Sequence, residues 1–299
     1  MATITVFTPT YNRADLLKKG YEPLKRQSCK DFIWLIIDDG SADGTRQLVN
    51  KWKKEEKSFE IRYVYKENGG LHTGYNAAIE LLDTELAVCV DSDDYLTDNA
   101  IEQIIDFWKL HGHPSVAGIV ALDGTEDGQI IGDYLPDIKQ INLIDLLVGK
   151  YPIRNGDRKL IVRSALYKEV APQKTFEGEK NFNPHYMHLQ ISKQYDFLVL
   201  NEVLCVVEYQ RTGMSRGILR QYYNSPKSFA ETRRLYLSFK SAGIAFRFRQ
   251  CIHYVSSSIL AGDKRFLATS PAKGLTLAAM PCGLLLSLYI RCKVQKEQD

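Results

Sequence analysis

Several features are scarce or missing. Charge of one sign is scarce: 39 Lys and Arg stand against 36 Asp and Glu, a formal net charge of +3. That balance gives no electrostatic reason to expect nucleic acid as a partner. The six cysteines, at positions 29, 89, 205, 251, 282 and 292, include no C-x-x-C pair. Reduced thiols in a cytosolic setting are therefore expected, with Cys89 and Cys205 inside apolar runs as small buried hydrophobes. No G-x-G-x-x-G is present, which argues against a dinucleotide-dependent oxidoreductase. No Gly-rich phosphate loop follows the first expected strand, which argues against a sugar-phosphate nucleotidyltransferase. The N-terminus has no charged n-region, so no signal peptide is expected. Internal repeats and low-complexity linkers are also absent.

What remains is an ordinary globular composition, 44% hydrophobic and 25% charged, able to bury a sizeable core. The first half alternates short apolar runs with amphipathic stretches. Strands are expected at Ile4–Phe7, Ile33–Ile37, Ile61–Tyr65, Leu86–Val90 and Val116–Leu122. Helices are expected at Ala14–Arg26, Asp43–Lys57, Thr73–Leu82 and Asn99–Leu110. This alternation predicts an α/β fold with a mostly parallel sheet flanked by helices. Residues 123–183 are less regular, Phe197–Val207 returns to strand character, and the chain beyond Gly213 becomes helical and basic. The division expected is a catalytic domain over 1–215 and a helical, basic and apolar C-terminal region over 216–299.

The polar motifs fall at the ends of the strands: Thr8–Arg13, Asp38–Thr45, Glu67–Gly70 and Asp91–Asp94. Ligands of open α/β sheets bind beyond the carboxyl ends of the strands, so the four should converge on one cleft. In Asp91-Ser92-Asp93-Asp94, carboxylates at i and i+2 can approach one hard cation, Mg²⁺ or Mn²⁺, which prefers oxygen ligands and is often shared with a diphosphate. The bland alternative is a solvated acidic turn. Asp38 and Asp39 open a loop whose glycines permit close backbone approach, and Asp43 there suits a helix cap. Tyr11 could stack on a base and Arg13 could balance a phosphate.

The ordered set T-P-T-Y-N-R, D-D-G-S-A-D-G-T, E-N-G-G and D-S-D-D resembles family 2 glycosyltransferases. The resemblance implies a GT-A fold, a nucleotide-sugar donor, a divalent cation and inversion at the anomeric carbon. By motif position it implies that Thr8, Pro9, Tyr11, Arg13, Asn68, Gly69 and Ser92 lie around the nucleotide sugar. Asp39 would contact the base, Asp93 the metal, and Asp91 the ribose and metal. Two departures stand out. Tyr75 precedes Asn76 where many members have Arg, and Tyr209–Ser215 lacks a His that many members carry, leaving Arg211 as a substitute for the diphosphate contact. The resemblance also implies an acidic base from a Glu-Asp-like segment, matched by Phe176–Lys180, with Glu179 first and Glu177 second.

His185 and His188, at i and i+3, could share a helix face, but no third ligand accompanies them. Leu275–Ile290 is 16 residues without a charge, shorter than the roughly 20 that span a bilayer, and Pro281 and Gly283 interrupt it. With Tyr222, Tyr223, Phe246 and Phe248 beside arginines, it suits in-plane contact with an anionic membrane on the cytoplasmic face. The acceptor would then be a glycan or a lipid-linked sugar. The non-enzymatic alternative is a degenerate transferase serving as a binding or scaffold subunit.

Overall fold

The structure, a computed structural model, describes residues 2–154, 156–208 and 217–297. The chain divides into two compact units: Met1–Gln173 with Met187–Gln210, and Lys174–Tyr186 with Arg211–Asp299.

The first unit runs β1 (Ile4–Thr10), α1 (Ala14–Arg26), β2 (Phe32–Asp38), α2 (Thr45–Glu55), β3 (Glu60–Tyr65), α3 (Leu71–Glu80) and β4 (Leu86–Cys89). It continues through β5 (Tyr95–Leu96), α4 (Ala100–His111), β6 (Val116–Gly124), β7 (Gln140–Ile141), α5 (Leu143–Leu147), β8 (Arg158–Arg163) and α6 (Ser164–Val170). Helix α7 (His185–Ile191) and strand β9 (Asp196–Val206) follow. Nine strands form one sheet in the order β3-β2-β1-β4-β8-β6-β9-β5, with β7 on β9. The first four are parallel, as the alternation of strand and helix requires. Beyond them the sheet is mixed, because β8 lies antiparallel between β4 and β6.

Period-two alternation sorts side chains onto two faces. Ile4, Val6, Trp34, Ile36, Leu86 and Val88 share one core with Leu17 and Tyr21 of α1, Trp52 of α2 and Ile104 of α4. At its centre Tyr21 stacks on Trp52 at 4.3 Å, and Trp34 lies 5.6 Å from Trp52. Phe7 points the other way and meets Tyr75 of α3 edge-on at 5.0 Å and Tyr167 of α6 at 6.3 Å. The residue that stands in place of the family's arginine is thus a buried packing residue.

The second unit is helical: α8 (Ile218–Asn224), α9 (Pro226–Leu237), α10 (Ile244–Leu260), α11 (Phe266–Thr269) and α12 (Lys273–Lys296). Pro281 and Gly283 do not break α12, which runs straight through the apolar stretch. Ser225-Pro226 reads as a self-capped helix start, yet Ser225 makes no side-chain cap. Glu179 does it from 48 residues away. One carboxylate oxygen accepts from the Lys227 N–H at 2.8 Å, and the other from the Ser228 N–H at 2.8 Å and its hydroxyl at 2.6 Å. A buried anion there satisfies orphan amides and meets the positive end of the helix dipole. Glu179→Ala is expected to lower stability by about 1–2 kcal/mol, read as an earlier urea midpoint, with Glu177→Ala leaving the midpoint in place.

Candidate active site

The carboxyl ends of the parallel strands are level. Thr10 of β1 pairs with Asp38 of β2, and Asp38 with Tyr65 of β3. Thr8, Pro9 and Thr10 are the last residues of β1 itself, so that motif begins inside the strand. Phe7 is level with Cys89 at the end of β4, which brings Asp91–Asp94 to the same edge.

The loops are held to one another by their own polar groups. The Asn12 N–H donates to Ser41 Oγ at 2.8 Å, and the Ala42 N–H donates back to Asn12 Oδ1 at 2.8 Å. Asn12 sits at φ +51°, a left-handed conformation that asparagine tolerates. Asp43 accepts from the first amide of α1, Ala14, and the first amide of α2, Thr45, each at 3.0 Å. One aspartate thereby caps two helices. Burial pushes its carboxyl up, but the bonds from Thr45 and Ala14 outweigh that and hold it below its ordinary value.

Asp38 and Asp39 are both buried. Asp38 accepts from the Ser41 N–H at 2.7 Å and from the Tyr63 hydroxyl at 2.5 Å. Burial and that carboxylate push the Tyr63 phenol up to about 12. Asp39 takes the Gly69 N–H at 3.0 Å and the Gly70 N–H at 2.8 Å, together with the Asn68 amide at 3.1 Å and the Lys66 ammonium. Its carboxylate thus organises the Lys66–Gly70 loop. Gly40, at φ +88°, lets that loop approach: a Cβ there would lie 2.8 Å from the Asn68 nitrogen.

Arg13 crosses from the β1 loop to the β4 loop. Its guanidinium lies 3.2 Å from Asp93 Oδ1 and 3.4 Å from Ser92 Oγ. Tyr11 is 47% exposed, leaving its ring available for stacking. Asp91 and Asp93 differ in burial from Asp94: Asp91 is exposed and Asp93 half-buried, while Asp94 is 7% exposed. Desolvation raises Asp94 to about 7, against the pull of Lys159 and with help from Asp91 and Asp93. Desolvation by the surrounding protein also raises Asp91, against the pull of Lys159 and with help from Asp93.

Sequence reasoning missed Lys159 and Asp123. Both are buried, 3.7 Å apart, on the neighbouring strands β8 and β6. Burial opposes the ammonium, but Asp123, Asp94 and Asp91 outweigh it and keep Lys159 charged. The available signal was a lysine beside the apolar run Leu160-Ile161-Val162, although Arg158 and Arg163 mask the strand. Lys66 was missed too, although it stands one residue before the E-N-G-G motif.

His188 is a core histidine: it shares a 2.7 Å hydrogen bond with the Tyr167 hydroxyl. Arg211 lies outside the described residues. Glu177 and Glu179 belong to the second unit, where Glu177 is exposed and Glu179 caps α9. Among the described residues no group of three His, Cys, Asp or Glu side chains is placed to hold a metal ion. Asp91 and Asp93 nonetheless fit a hard divalent cation by donor chemistry, as two oxygen ligands, with further ligands left to phosphate and water.

Residues 5–169 match the model of Glycosyl transferase family 2, and the chain belongs to that family. It is a glycosyltransferase. It is 22% identical over 239 residues to the GalNAc(5)-diNAcBac-PP-undecaprenol beta-1,3-glucosyltransferase of Campylobacter jejuni, covering 79% of this chain and 74% of that protein. It is 30% identical over 99 residues to chondroitin synthase of Pasteurella multocida, covering 33% of this chain but 10% of that longer protein. The fold matches S. aureus TarS 1-349 in complex with UDP-GlcNAc, with TM-score 0.58 and 16% identity over 99% of this chain and 92% of that one. It also matches the Pyrobaculum calidifontis mannosyltransferase PcManGT in complex with GDP-Man and Mn²⁺, with TM-score 0.57 and 18% identity over 97% and 80%. These likenesses place the fold in the GT-A class.

The raised Asp94 gives a pH test. Its folded value, about 7, lies above the 3.8 of an ordinary aspartate. The folded state therefore holds an extra proton across that window, and stability falls as pH rises through it. Asp94→Asn is expected to flatten the fall between about pH 4 and 7, checked by urea midpoints of both proteins across that range.

Proposed function

We propose that the protein transfers a sugar, with inversion, from a nucleoside-diphosphate donor of the UDP type to a hydroxyl of a glycan or lipid-linked acceptor in surface polysaccharide synthesis. The observation that carries this reading is the level edge of β1, β2, β3 and β4, where Tyr11, Arg13, Asp39, Asp91 and Asp93 all stand. Residues 1–215 form the catalytic domain in this reading, and 216–299 the basic extension that meets an anionic membrane on the cytoplasmic side. The acceptor class is supported by the undecaprenol-linked substrate in the name of the Campylobacter relative. The donor class is supported by the UDP-GlcNAc held in the TarS structure.

The assignments follow from the side chains. Tyr11 stacks on the base. Asp39, with both oxygens engaged by Lys66, Asn68, Gly69 and Gly70, keeps the base-side loop in shape, and a base N–H that contacts it displaces one of these donors. Arg13 balances phosphate charge, sharing its guanidinium with Asp93 and Ser92. Thr8 and Pro9 at the end of β1 shape the floor. Asp91 and Asp93 would hold Mn²⁺ or Mg²⁺, which when bound neutralises the leaving diphosphate. Inversion also needs a base at the acceptor hydroxyl, and we assign it to the Glu177–Glu179 segment. Glu179 has both oxygens engaged at the start of α9, so a proton taken there would disturb the cap. Glu177 is exposed, with its carboxylate open to solvent.

Calorimetric titration of UDP-, GDP- and dTDP-sugars with Mn²⁺, with chelator and against Asp93→Ala tests the donor site. Binding of one nucleotide sugar that chelator or the substitution weakens at least about tenfold is the expected outcome. No binding to folded, metal-loaded protein would refute it. For the base, Glu177→Gln is expected to lower kcat by about 10²-fold or more with an unchanged urea midpoint. A kcat lost only in Glu179→Gln, without loss of stability, would move the base to Glu179.

A further inference from the structure

Helix α12 is built inside out. The stripe it turns toward its own unit is small and polar, with Thr276, Ala279, Gly283 and Ser287 buried ahead of Ile290 and Val294. The side it leaves open carries Leu277, Met280, Leu284, Leu285, Leu288 and Tyr289, each between 37% and 67% exposed. A helix on the surface of a water-soluble domain has the opposite polarity. Small residues inward and leucines outward is the packing rule of helices surrounded by lipid, where an outward leucine loses nothing.

The inner contact is tight and specific. A Cβ on Gly283 would lie 2.5 Å from Cβ of Val255 in α10. The Thr276 hydroxyl meets Ser270 Oγ at 2.6 Å and Cys251 Sγ at 3.5 Å. The leucine face is therefore not the side by which α12 packs on its own unit, since α10 meets the opposite, small-residue side.

Charge supplies the second, independent observation. Between Lys273 and Lys296 the helix has four cations, Lys273, Arg291, Lys293 and Lys296, and no acid. All four are exposed and flank the uncharged stretch at its two ends. An apolar face bounded by cations matches acyl chains bordered by anionic headgroups. The whole of α12, 24 residues, is long and apolar enough to cross a membrane. Its uncharged stretch Leu275–Ile290, however, reaches only about 24 Å, short of the ~30 Å hydrocarbon core, which favours the in-plane orientation. A crossing helix would also drag α10 with it, and α10 carries Arg247, Arg249 and Gln250.

We infer that the exposed face of α12 docks on a phospholipid bilayer, the helix lying in the plane of the membrane with its leucines among the upper acyl chains and its cations at anionic headgroups. This rests on the membrane contact proposed above and specifies the surface that makes it.

The test uses the full chain and vesicles of phosphatidylcholine with and without phosphatidylglycerol. Flotation with the vesicles, stronger on the anionic ones, is expected. Leu284→Glu/Leu285→Glu should lower the partition coefficient about tenfold or more while nucleotide-sugar binding by calorimetry is unchanged. That second readout separates failure of the docking surface from failure of the donor site. A Leu288→Trp variant, read as the difference from its parent, should be quenched by lipids spin-labelled near the top of the chain. Quenching mainly by mid-plane labels would overturn the in-plane arrangement. Absence of vesicle binding, or binding that the glutamates leave unchanged, would overturn the docking surface. So would a self-association in sedimentation that the glutamates abolish in a protein that ignores vesicles, because the face would then belong to a second copy.

Discussion

The donor side of the fold depends on a buried anion. Asp39 is nearly inaccessible and would be costly to hide without partners. It finds four donors, all from the single stretch Lys66–Gly70. A carboxylate at the end of β2 thus decides the course of the loop after β3. That loop in turn sets where α3 begins, since Gly70 directly precedes Leu71. Removing one partner of such a pair leaves an uncompensated buried charge, a loss on the order of 3–5 kcal/mol. Few single contacts in the unit have comparable reach.

The opposite side of the same edge follows a different rule. There Asp91, Asp93, Asp94 and Asp123 gather, and among the described residues Arg13 pairs with Asp93 and Lys159 with Asp123. Arg13 answers from the solvent side, with its side chain 35% exposed, and Lys159 from inside the sheet. In the proposed function the exposed cation exchanges partners when a diphosphate arrives, whereas the buried one cannot. The strand ends therefore pair a fixed counter-charge with a movable one, which suits a site that must receive and release anions.

What was legible in the sequence, and what was not, follows from the range of the forces involved. Helix α1 is read correctly to the residue because its apolar face and flanking motifs are local. Strands β1, β2 and β4 are read from continuous apolar runs, as buried parallel strands present themselves. The strand β8 is missed: Arg158, Lys159 and Arg163 give it a polar look, and only its place between β4 and β6 makes it a strand. The convergence of the four loops was visible from where the motifs fall, but their cross-links were not. Asn12 to Ser41, Asp39 to Gly70 and Arg13 to Asp93 join residues tens of positions apart. Glu179 illustrates the same limit, since a charged loop and a helix start 48 residues later show no local sign of belonging together. The interruption read into Leu275–Ile290 also yields to context: Gly283 is there because α10 leaves no room for a side chain.

Asp43, which terminates the backbone of both α1 and α2, ties two otherwise separate supports of the cleft to one point. A displacement of either helix start must be shared by the other, because neither can keep its bond to the carboxylate if its neighbour pulls away. The first two loops are therefore joined into one rim rather than standing as two fingers. Tyr11, carried on that rim between β1 and α1, would then move in step with the D-D-G-S loop across from it, so a nucleotide that touches one loop repositions both.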